Sequence, residues 1–244
     1  SQILQKLNFK TATIKKFYKN QIDEQKLLSK KSNLYCKKNR VDALNEALKD
    51  NIDIAIFDDG LQDAFLNYDL SFVCFNNINW IGNGSLIPSG PLREKLTSIF
   101  KYDAIFLNGN EEDNSDIKDS IRKINKNIKI FETYYHPINV HKFDLEDNYL
   151  IFSGIGCPHS FKKTLLKNKF KIIKEIEFPD HYQYTKKDLE KIRSIAINLN
   201  AKIITTEKDY VKIPQTNLDK IYFLEIDLII KKQDELVSFI KSKI

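Results

Sequence analysis

The sequence predicts an α/β fold built on parallel β-sheets. Short, nearly continuous apolar runs alternate with amphipathic helical segments along the chain, and such runs are typical of strands buried on both faces. The spacing of strand, helix and strand over residues 34–57 is typical of a right-handed crossover between parallel strands. A chain of 244 residues with 42% hydrophobic content is long enough for one large or two modest domains.

The segment at residues 51–62, NIDIAIFDDGLQ, organises the first half of the chain. Its apolar run predicts a central strand, so Asp58 and Asp59 would lie at the carboxyl edge of the sheet, where open α/β sheets bind ligands. Gly60 would then form the turn that follows. Two acids at this edge suit Mg²⁺, which takes carboxylate oxygens together with nucleotide phosphates. Alternatively, one aspartate caps a turn and the other is solvated, and the pair alone favours neither interpretation.

Hydrophobic periodicity predicts the remaining elements and the domain organisation. Asp23 and Glu24 would begin a short helix, since acids are favoured in a first helical turn, and residues 15–20 would form a connection without a regular period. A first domain is predicted over residues 1–135, a linker over 136–147 and a smaller α/β domain over 148–244. Strands are predicted at residues 11–14, 34–36, 52–57, 69–75, 103–107, 128–134, 149–152, 171–177, 202–205 and 221–224, and helices at 1–7, 40–48, 117–124 and 187–199 and from Pro158 and Gln233, with a short helix between 205 and 221.

The segment WIGNGSLIPSGPLRE, at residues 80–94, has the least ordinary composition in the chain. It contains three of the seven glycines and two of the six prolines, which predicts a backbone held in special turns of the kind found in ligand-binding loops. Pro91 would begin a helix, and Arg93 in its first turn would face an anion such as a phosphate. The alternative is an ordinary surface loop whose arginine forms a salt bridge.

Charge and cysteine content limit the class of protein. The net charge of +6 is scattered along the chain, which fits a solvated surface and also the anionic surface of a membrane. No run approaches the roughly 20 apolar residues that span a bilayer. Three cysteines, odd in number and far apart, indicate a reducing compartment such as the cytoplasm.

Two candidate sites lie in the second half. His181 follows Asp180 in a loop between a strand and a helix, where a histidine can handle protons, although an isolated histidine there is more often a surface residue. The turn Gly154-Ile155-Gly156 precedes a helix and can hold an anion. His159 stands where a dinucleotide fingerprint has its third glycine, so a nicotinamide site is rejected.

Four motifs together resemble one known family. DDGLQ, a strand and GNG-x-L-x-P-x-GPLRE are followed by FSGIGCPHSF, FPDHYQY and TTEKDYVKI, at residues 152–161, 178–184 and 205–213. This order and spacing resemble the tetraacyldisaccharide 4'-kinases of lipid A biosynthesis, membrane-associated members of the P-loop kinase superfamily. Four motifs over about 190 residues are far more specific than any one of them alone.

The resemblance implies a reaction, cofactors and partners. The family moves the γ-phosphate of ATP to the 4'-hydroxyl of a tetraacylated glucosamine disaccharide 1-phosphate, giving lipid IVA. Asp58 and Asp59 match its Walker B acids, which bind Mg²⁺, and Gln62 belongs to the same nucleotide-binding motif. The expected setting is the cytoplasmic face of a bacterial inner membrane, with an anionic membrane surface as partner, no nucleic acid and a monomeric enzyme.

The resemblance also assigns catalytic roles. IDEQ matches the family's GDEP, so Asp23 falls on the proposed general base for the 4'-hydroxyl, and His181 falls on the histidine that supports this acid. Arg93 falls on a loop arginine near the nucleotide and substrate phosphates. Because phosphoryl transfer is mostly positioning and charge neutralisation, these residues suit the reaction. Asp23 and His181 are expected to meet across the cleft between the two predicted domains.

The sequence departs from the family at several positions. Asp63 and Asn76 replace the usual His and Asp, GDEP has lost its Gly and Pro, and the family's SRGYG segment stands as KKFYK. There is no glycine before Gly60, so the phosphate loop G-x-x-x-x-G-K-[ST] is expected upstream of Ser1, together with the membrane helix, and the chain alone would have little activity. The alternatives are a non-catalytic lipid-A-precursor or nucleotide-binding module that has lost its P-loop, and a metal-dependent hydrolase.

Overall fold

The computed structural model describes residues 1–19, 21–109 and 113–243. Strands and helices alternate along these ranges, as the sequence predicts. The strands are β1 (Thr11–Lys16), β2 (Leu34–Lys37), β3 (Ile54–Phe57), β4 (Phe72–Asn76), β5 (Ala104–Gly109), β6 (Lys129–Pro137), β7 (Asn148–Ser153), β8 (Lys171–Glu177), β9 (Ala201–Thr206), β10 (Ile221–Leu224) and β11 (Ile226–Ile230). The α-helices are α1 (Gln2–Lys6), α2 (Ile22–Lys31), α3 (Arg40–Lys49), α4 (Ser115–Ile124), α5 (Pro158–Lys167), α6 (Lys186–Asn198), α7 (Glu207–Tyr210) and α8 (Gln233–Lys241), and short 3₁₀ helices lie at Leu96–Lys101, Val140–Lys142 and Gln215–Asn217.

The chain forms two compact units, each built from two separate stretches. The first unit comprises residues 1–62 and 137–226, and the second comprises residues 63–136 and 227–244. The predicted division at the 136–147 linker follows chain order, whereas the structure joins the N-terminal stretch to the stretch that carries β7 to β10. Contacts between distant residues, which a linear reading of periodicity does not detect, determine this grouping.

The first unit contains the sheet β2-β1-β3, whose strands are all parallel. The prediction that residues 52–57 form the central strand is wrong, because β1 lies in the middle and β3 is an edge strand of the sheet over the described residues. Ala12 and Ile14 of β1 are fully buried and pack against Ala43 and Ala47 of α3. The strand extends to Lys16, so the predicted irregular connection is shorter than expected, and Asn20 within it lies outside the described residues.

A second parallel sheet of the first unit has the order β10-β9-β7-β8. Its central strand β7 contributes Tyr149, Leu150, Ile151 and Phe152, all almost fully buried. Adjacent residues of a strand point to opposite faces, so this continuous run requires cover on both sides. Two core clusters, one including α6 and the other including α5, provide it.

The second unit is a four-stranded sheet with the order β11-β6-β5-β4. Strands β4, β5 and β6 are parallel, and Ile121 of α4 is fully buried against them. Phe72 stacks on Phe106 at 4.8 Å between ring centroids, and Phe239 of α8 lies 5.6 Å from Phe131. Strand β11, at the edge of the sheet, was not predicted.

The predicted special turns at residues 80–94 are confirmed. Gly82 and Gly84 have φ angles of +55° and +72°, and a Cβ on Gly90 would lie 2.4 Å from the carbonyl oxygen of Ser85. The predicted helix beginning at Pro91 is wrong, because the next regular element is the 3₁₀ helix that begins at Leu96. The backbone of Leu92 is instead paired within the loop, since its amide donates to the carbonyl of Ser85 at 3.1 Å and its carbonyl accepts from the amide of Ile87 at 2.8 Å.

The described residues include no helix with both the length and the apolar composition needed to cross a bilayer.

Replacing Ile14 with alanine should lower the free energy of unfolding by about 2–5 kcal/mol, because a fully buried side chain of the central strand leaves a cavity. Chemical denaturation measures this loss. Ile197→Ala is the matched control, since Ile197 is 77% exposed on α6 and should change stability by less than about 0.5 kcal/mol. Equal losses in the two variants would contradict the assignment of β1 to the core.

Candidate active site

The turn after β3 presents the two predicted metal-binding acids. The Asp58 amide donates to the carbonyl of Ile14 at 2.9 Å, and the buried guanidinium of Arg40 donates to the carbonyls of Asp59 and Asp58 at 2.6 and 3.3 Å. Asp59 has a φ of +55°, so the left-handed residue of this turn is Asp59 and not the predicted turn residue Gly60. Aspartate tolerates this conformation better than most residues.

Lys15 forms ion pairs with two carboxylates at the end of β1. Its ammonium contacts Asp58 Oδ2, and Glu24 Oε2 lies 3.2 Å from the same nitrogen. The Lys15 side chain is only 5% exposed. Burial alone would lower the pKa of Lys15, but the hydrogen bonds and charges of Asp58 and Glu24 outweigh burial and raise it. The ammonium is therefore held in its charged form between the two acids.

The first turn of α2 holds Asp23 next to Glu24, as predicted. Asp23 is 3% exposed, and within the described residues neither of its carboxylate oxygens accepts a hydrogen bond. His181 Nδ1 lies 3.4 Å from Asp23 Oδ2. The structure thus brings Asp23 and His181 together, although both belong to the first compact unit and not to two different ones.

His181 lies among three carboxylates. Besides Asp23, its Nε2 is 3.9 Å from Glu24 Oε1 and 3.9 Å from Asp180 Oδ2. Its φ of +58° is left-handed, and such a conformation costs on the order of 1 kcal/mol outside glycine. Strained backbones of this kind cluster at functional sites, and the Asp180 side chain supports this one by accepting from the His181 amide at 2.9 Å.

Lys208 of α7 extends the charged cluster. It lies 3.1 Å from Glu24 Oε1 and 3.6 Å from Asp180 Oδ1. Burial alone would raise the pKa of Glu24, but the ion pairs with Lys208 and Lys15 outweigh it and lower the pKa. Sequence reasoning assigned no chemistry to Lys15, Glu24 or Lys208. Glu24 and Lys208 lie inside recognised motifs, which was the available signal, whereas Lys15 begins the segment KKFYK, which departs from the family's SRGYG.

A pocket of about 400 Å³ adjoins the Asp23–His181 pair. Asp23 and His181 form part of its wall together with the basic residues Lys19 and Lys26. A pocket whose lining includes an acid, a histidine and lysines can accommodate an anionic ligand that carries a hydroxyl group.

The three C-terminal motifs meet around a buried ion pair. The charged groups of Asp209 and Lys212 are 2.6 Å apart, and their side chains are 0% and 2% exposed. Both residues also bind the backbone of Gly154: Asp209 accepts from its amide at 3.0 Å, and Lys212 donates to its carbonyl at 3.2 Å. Thr206 caps α7, accepting from the Asp209 amide at 3.0 Å. Lys212 lies 5.4 Å from the ring centre of Tyr184, whose pKa is raised far above its usual value by burial and then by the charge of Asp209.

Gln62 and Arg93 are the two other predicted site residues. Gln62 is exposed in a turn at the end of the first stretch of the first unit. Arg93 is exposed and belongs to the second unit, ahead of the 3₁₀ helix. Their predicted roles in nucleotide binding and catalysis stay predictions.

The carboxylates of the cluster suit a hard cation. Within the described ranges, no group of three or more His, Cys, Asp and Glu side chains is arranged to hold a metal ion. Mg²⁺ commonly needs fewer protein ligands, since it is bound through one or two carboxylates plus phosphates and water. Asp58 and Glu24 contact the same ammonium, so their oxygens already converge on one cation.

Comparisons with known proteins identify the chain. The family model described as tetraacyldisaccharide-1-P 4'-kinase, LpxK, matches residues 14–244. A tetraacyldisaccharide 4'-kinase of Pelagibacter ubique is 50% identical over 237 residues, which cover 97% of this chain and 76% of the relative. One from Rickettsia typhi is 38% identical over 187 residues, covering 75% of this chain and 56% of the relative.

A structural comparison agrees with the sequence comparisons. The crystal structure of the "apo" form of LpxK from Aquifex aeolicus in complex with ATP has a TM-score of 0.69, with 19% identity, covering 99% of this chain and 80% of that one. The α/β fold and the family match thus define a phosphotransferase of the kinase class. The chain is a member of the tetraacyldisaccharide 4'-kinase family, which acts in lipid A biosynthesis.

Replacing Lys212 with methionine should lower the free energy of unfolding by about 3–5 kcal/mol, because Asp209 would remain buried without its counter-ion. Lys186→Met is the control, since Lys186 pairs with Glu190 on the surface, where both side chains are more than half exposed. Such pairs contribute about 0–1 kcal/mol. A similarly small loss in Lys212→Met would show that the buried pair does not hold the Gly154 turn.

The stability that Glu24 contributes should disappear in acid. Its pKa in the folded chain lies below the ordinary value of 4.5, so its ion pairs stabilise the fold above that value, and the contribution is lost as the pH falls through the lowered pKa. The difference in unfolding free energy between the native chain and Glu24→Gln should therefore narrow below the ordinary pKa. Ile197→Ala removes no charge, so the unfolding free energy that it costs should not change with pH in this range. If the unfolding free energy lost in Glu24→Gln is also independent of pH, the lowered pKa of Glu24 is contradicted.

Proposed function

We propose that the enzyme that contains this chain transfers the γ-phosphate of ATP to the 4'-hydroxyl of a tetraacylated glucosamine disaccharide 1-phosphate, with Asp23 as the acceptor of the hydroxyl proton. The observation that carries this proposal is the Asp23 carboxylate, which is 3% exposed and accepts no hydrogen bond within the described residues. A buried polar group without a partner requires an explanation. A substrate hydroxyl in the adjoining pocket supplies one.

Asp23 has the surroundings that a proton acceptor needs. It lies in the first turn of α2, where the helix dipole favours a negative charge. His181 Nδ1, 3.4 Å away, is close enough to orient the carboxylate and to donate to it after a small adjustment. The hydroxyl would approach from the pocket side and hand its proton to Asp23 as its oxygen attacks phosphorus.

Asp58 and Asp59 would hold Mg²⁺ in this enzyme. The Asp58 side chain fits the ion because it is 39% exposed and already pairs with a cation, provided that Lys15 moves away from it. When bound, Mg²⁺ neutralises phosphate oxygens and so favours transfer. The chain's own contribution is to fix Asp58 through the backbone contacts of Arg40 with the turn.

Phosphate groups would be bound by basic residues of the pocket and of the loop at residues 80–94. Lys19 and Lys26 line the pocket beside Asp23, and the acceptor and donor are both anionic. The structural neighbour from Aquifex aeolicus was solved in complex with ATP, which supports ATP as the donor. Gln62 and Arg93 are proposed to contact the nucleotide and the substrate phosphates, as the motif match implies.

A lipid acceptor lies in a membrane, so the enzyme has to bind at the membrane surface. The net charge of +6 suits an anionic leaflet, and Phe65, Ile87 and Phe100 of the second unit are large apolar side chains that are more than half exposed. We place the enzyme on the cytoplasmic face of the inner membrane as a monomer. A non-catalytic binding module is not favoured, because the matched relatives are named as kinases.

Kinase assays of the enzyme that contains this chain test the proposal. Asp23→Asn should lower kcat by about 10²–10⁴-fold with little change in KM for ATP, because only proton transfer is lost. His181→Ala should be milder, and the double variant should lose less than the product of the two single losses, since the pair acts as a unit.

Asp219→Asn is the control, because Asp219 is an exposed acid of the same unit outside the pocket lining. Phosphate transfer from ATP to the tetraacyldisaccharide 1-phosphate is the measured reaction. If the kcat of the double variant falls by the full product of the two single losses, Asp23 and His181 do not act as a unit. If the native enzyme forms no phosphorylated product, the proposed function is rejected.

A further inference from the structure

The Lys15 ammonium lies against Asp58, the position that Mg²⁺ would take in the proposed metal site. Ile14 and Phe57 are register partners in the parallel pair β1 and β3, so the next residues, Lys15 and Asp58, lie side by side at the carboxyl edge. Glu24 approaches from the first turn of α2 and lies 3.2 Å from the ammonium. The Lys15 ammonium thus forms ion pairs with both Asp58 and Glu24, and Asp58 is a predicted Mg²⁺ ligand.

The two sides of this ion pair differ in exposure. The Lys15 side chain is 5% exposed, whereas that of Asp58 is 39% exposed. Solvent ions reach the carboxylate of Asp58, while the ammonium lies beneath it. Lys15 cannot simply move into water, because a buried ammonium needs a partner. Glu24 remains as that partner if the contact with Asp58 is broken.

Mg²⁺ and the ammonium exclude each other at Asp58. A magnesium ligand lies about 2.0–2.1 Å from the ion, so a cation bound to Asp58 would lie within a few ångströms of the Lys15 nitrogen, where like charges repel strongly in a partly buried site. Binding of the metal therefore requires Lys15 to leave Asp58. The free energy needed to break that ion pair weakens the net binding of Mg²⁺.

We propose that Lys15 is the built-in counter-cation of the Asp58–Glu24 pair and that Mg²⁺ binds Asp58 in competition with it, so that Lys15 determines the metal affinity of this site. The proposal rests on the proposed function only in placing Mg²⁺ at Asp58. Without nucleotide, Lys15 stays paired with Asp58 and the site binds Mg²⁺ weakly. Lys15 thereby keeps the acid pair from capturing divalent ions in the absence of phosphate.

Calorimetric titration of the 244-residue chain with MgCl₂, without nucleotide and at constant ionic strength, tests the competition. The native chain should bind with a Kd in roughly the millimolar range or weaker, and Lys15→Met should bind at least about tenfold more tightly, because the competing charge is gone while the length of the side chain is kept. Lys16→Met is the matched control. It removes the same charge from the neighbouring residue, on the opposite face of β1, and should change the Kd by less than about twofold.

Asp58 must be the site of the gain. The double variant Lys15→Met with Asp58→Asn should lose the tighter binding, and a gain that survives in it would overturn the proposal, as would equal affinities of the native chain and Lys15→Met. A native chain that binds Mg²⁺ with a Kd below about 0.1 mM would also overturn it, and this measurement does not depend on the folding of any variant.

The calorimetric result is separate from kinase activity. Tighter Mg²⁺ binding in Lys15→Met together with no phosphoryl transfer by the native enzyme would reject the proposed function and leave the competition standing. Normal transfer together with an unchanged affinity for Mg²⁺ in Lys15→Met would retain the function and reject the role of Lys15.

Discussion

Glu24 connects two distant parts of the first compact unit through ion pairs with two lysines. Lys15 reaches it from β1, in the middle of one sheet, and Lys208 from α7, which directly follows β9 of the other sheet. Helix α2 is the element between them, and its far end adds the pair of Lys31 with Glu207. Without Glu24, Lys15 would keep only Asp58 and Lys208 only Asp180 as partners, and the link from β1 through α2 to α7 would be lost. Asp23, next to Glu24 in the same turn of α2, lies 3.4 Å from His181.

The sequence predicts most elements of the fold but not their grouping. Periodicity and turn residues located β8 and β10 to the residue, and several helices to within one or two, because these segments carry strong local patterns. The central strand was misplaced, since β1 ends in Lys15 and Lys16 and its apolar run looks short. Strand β11 has the sequence IDLII directly after β10, and without a turn residue between the two strands nothing marked a second one.

The candidate site was predicted from motifs and not from physical pattern. Asp23 and His181 are separated by many residues, and only the family resemblance connected them before the structure placed them 3.4 Å apart. Lys15 could not be predicted in this way, because its segment departs from the family motif. Its role emerges only when strand register places it beside Asp58.

Two adjacent acids in one helical turn have different surroundings, and this difference separates their functions. Asp23 and Glu24 share the favourable end of the α2 dipole. Glu24 accepts from Lys15 and Lys208, so its charge is committed to the structure, and a proton would have to break two ion pairs to reach it. Asp23 is more deeply buried and, among the described residues, makes no hydrogen bond. Glu24 therefore anchors the helix through its ion pairs, whereas Asp23, in the pocket wall, has the surroundings that its proposed role as proton acceptor requires. The difference between the two acids comes from their environment and not from their residue type.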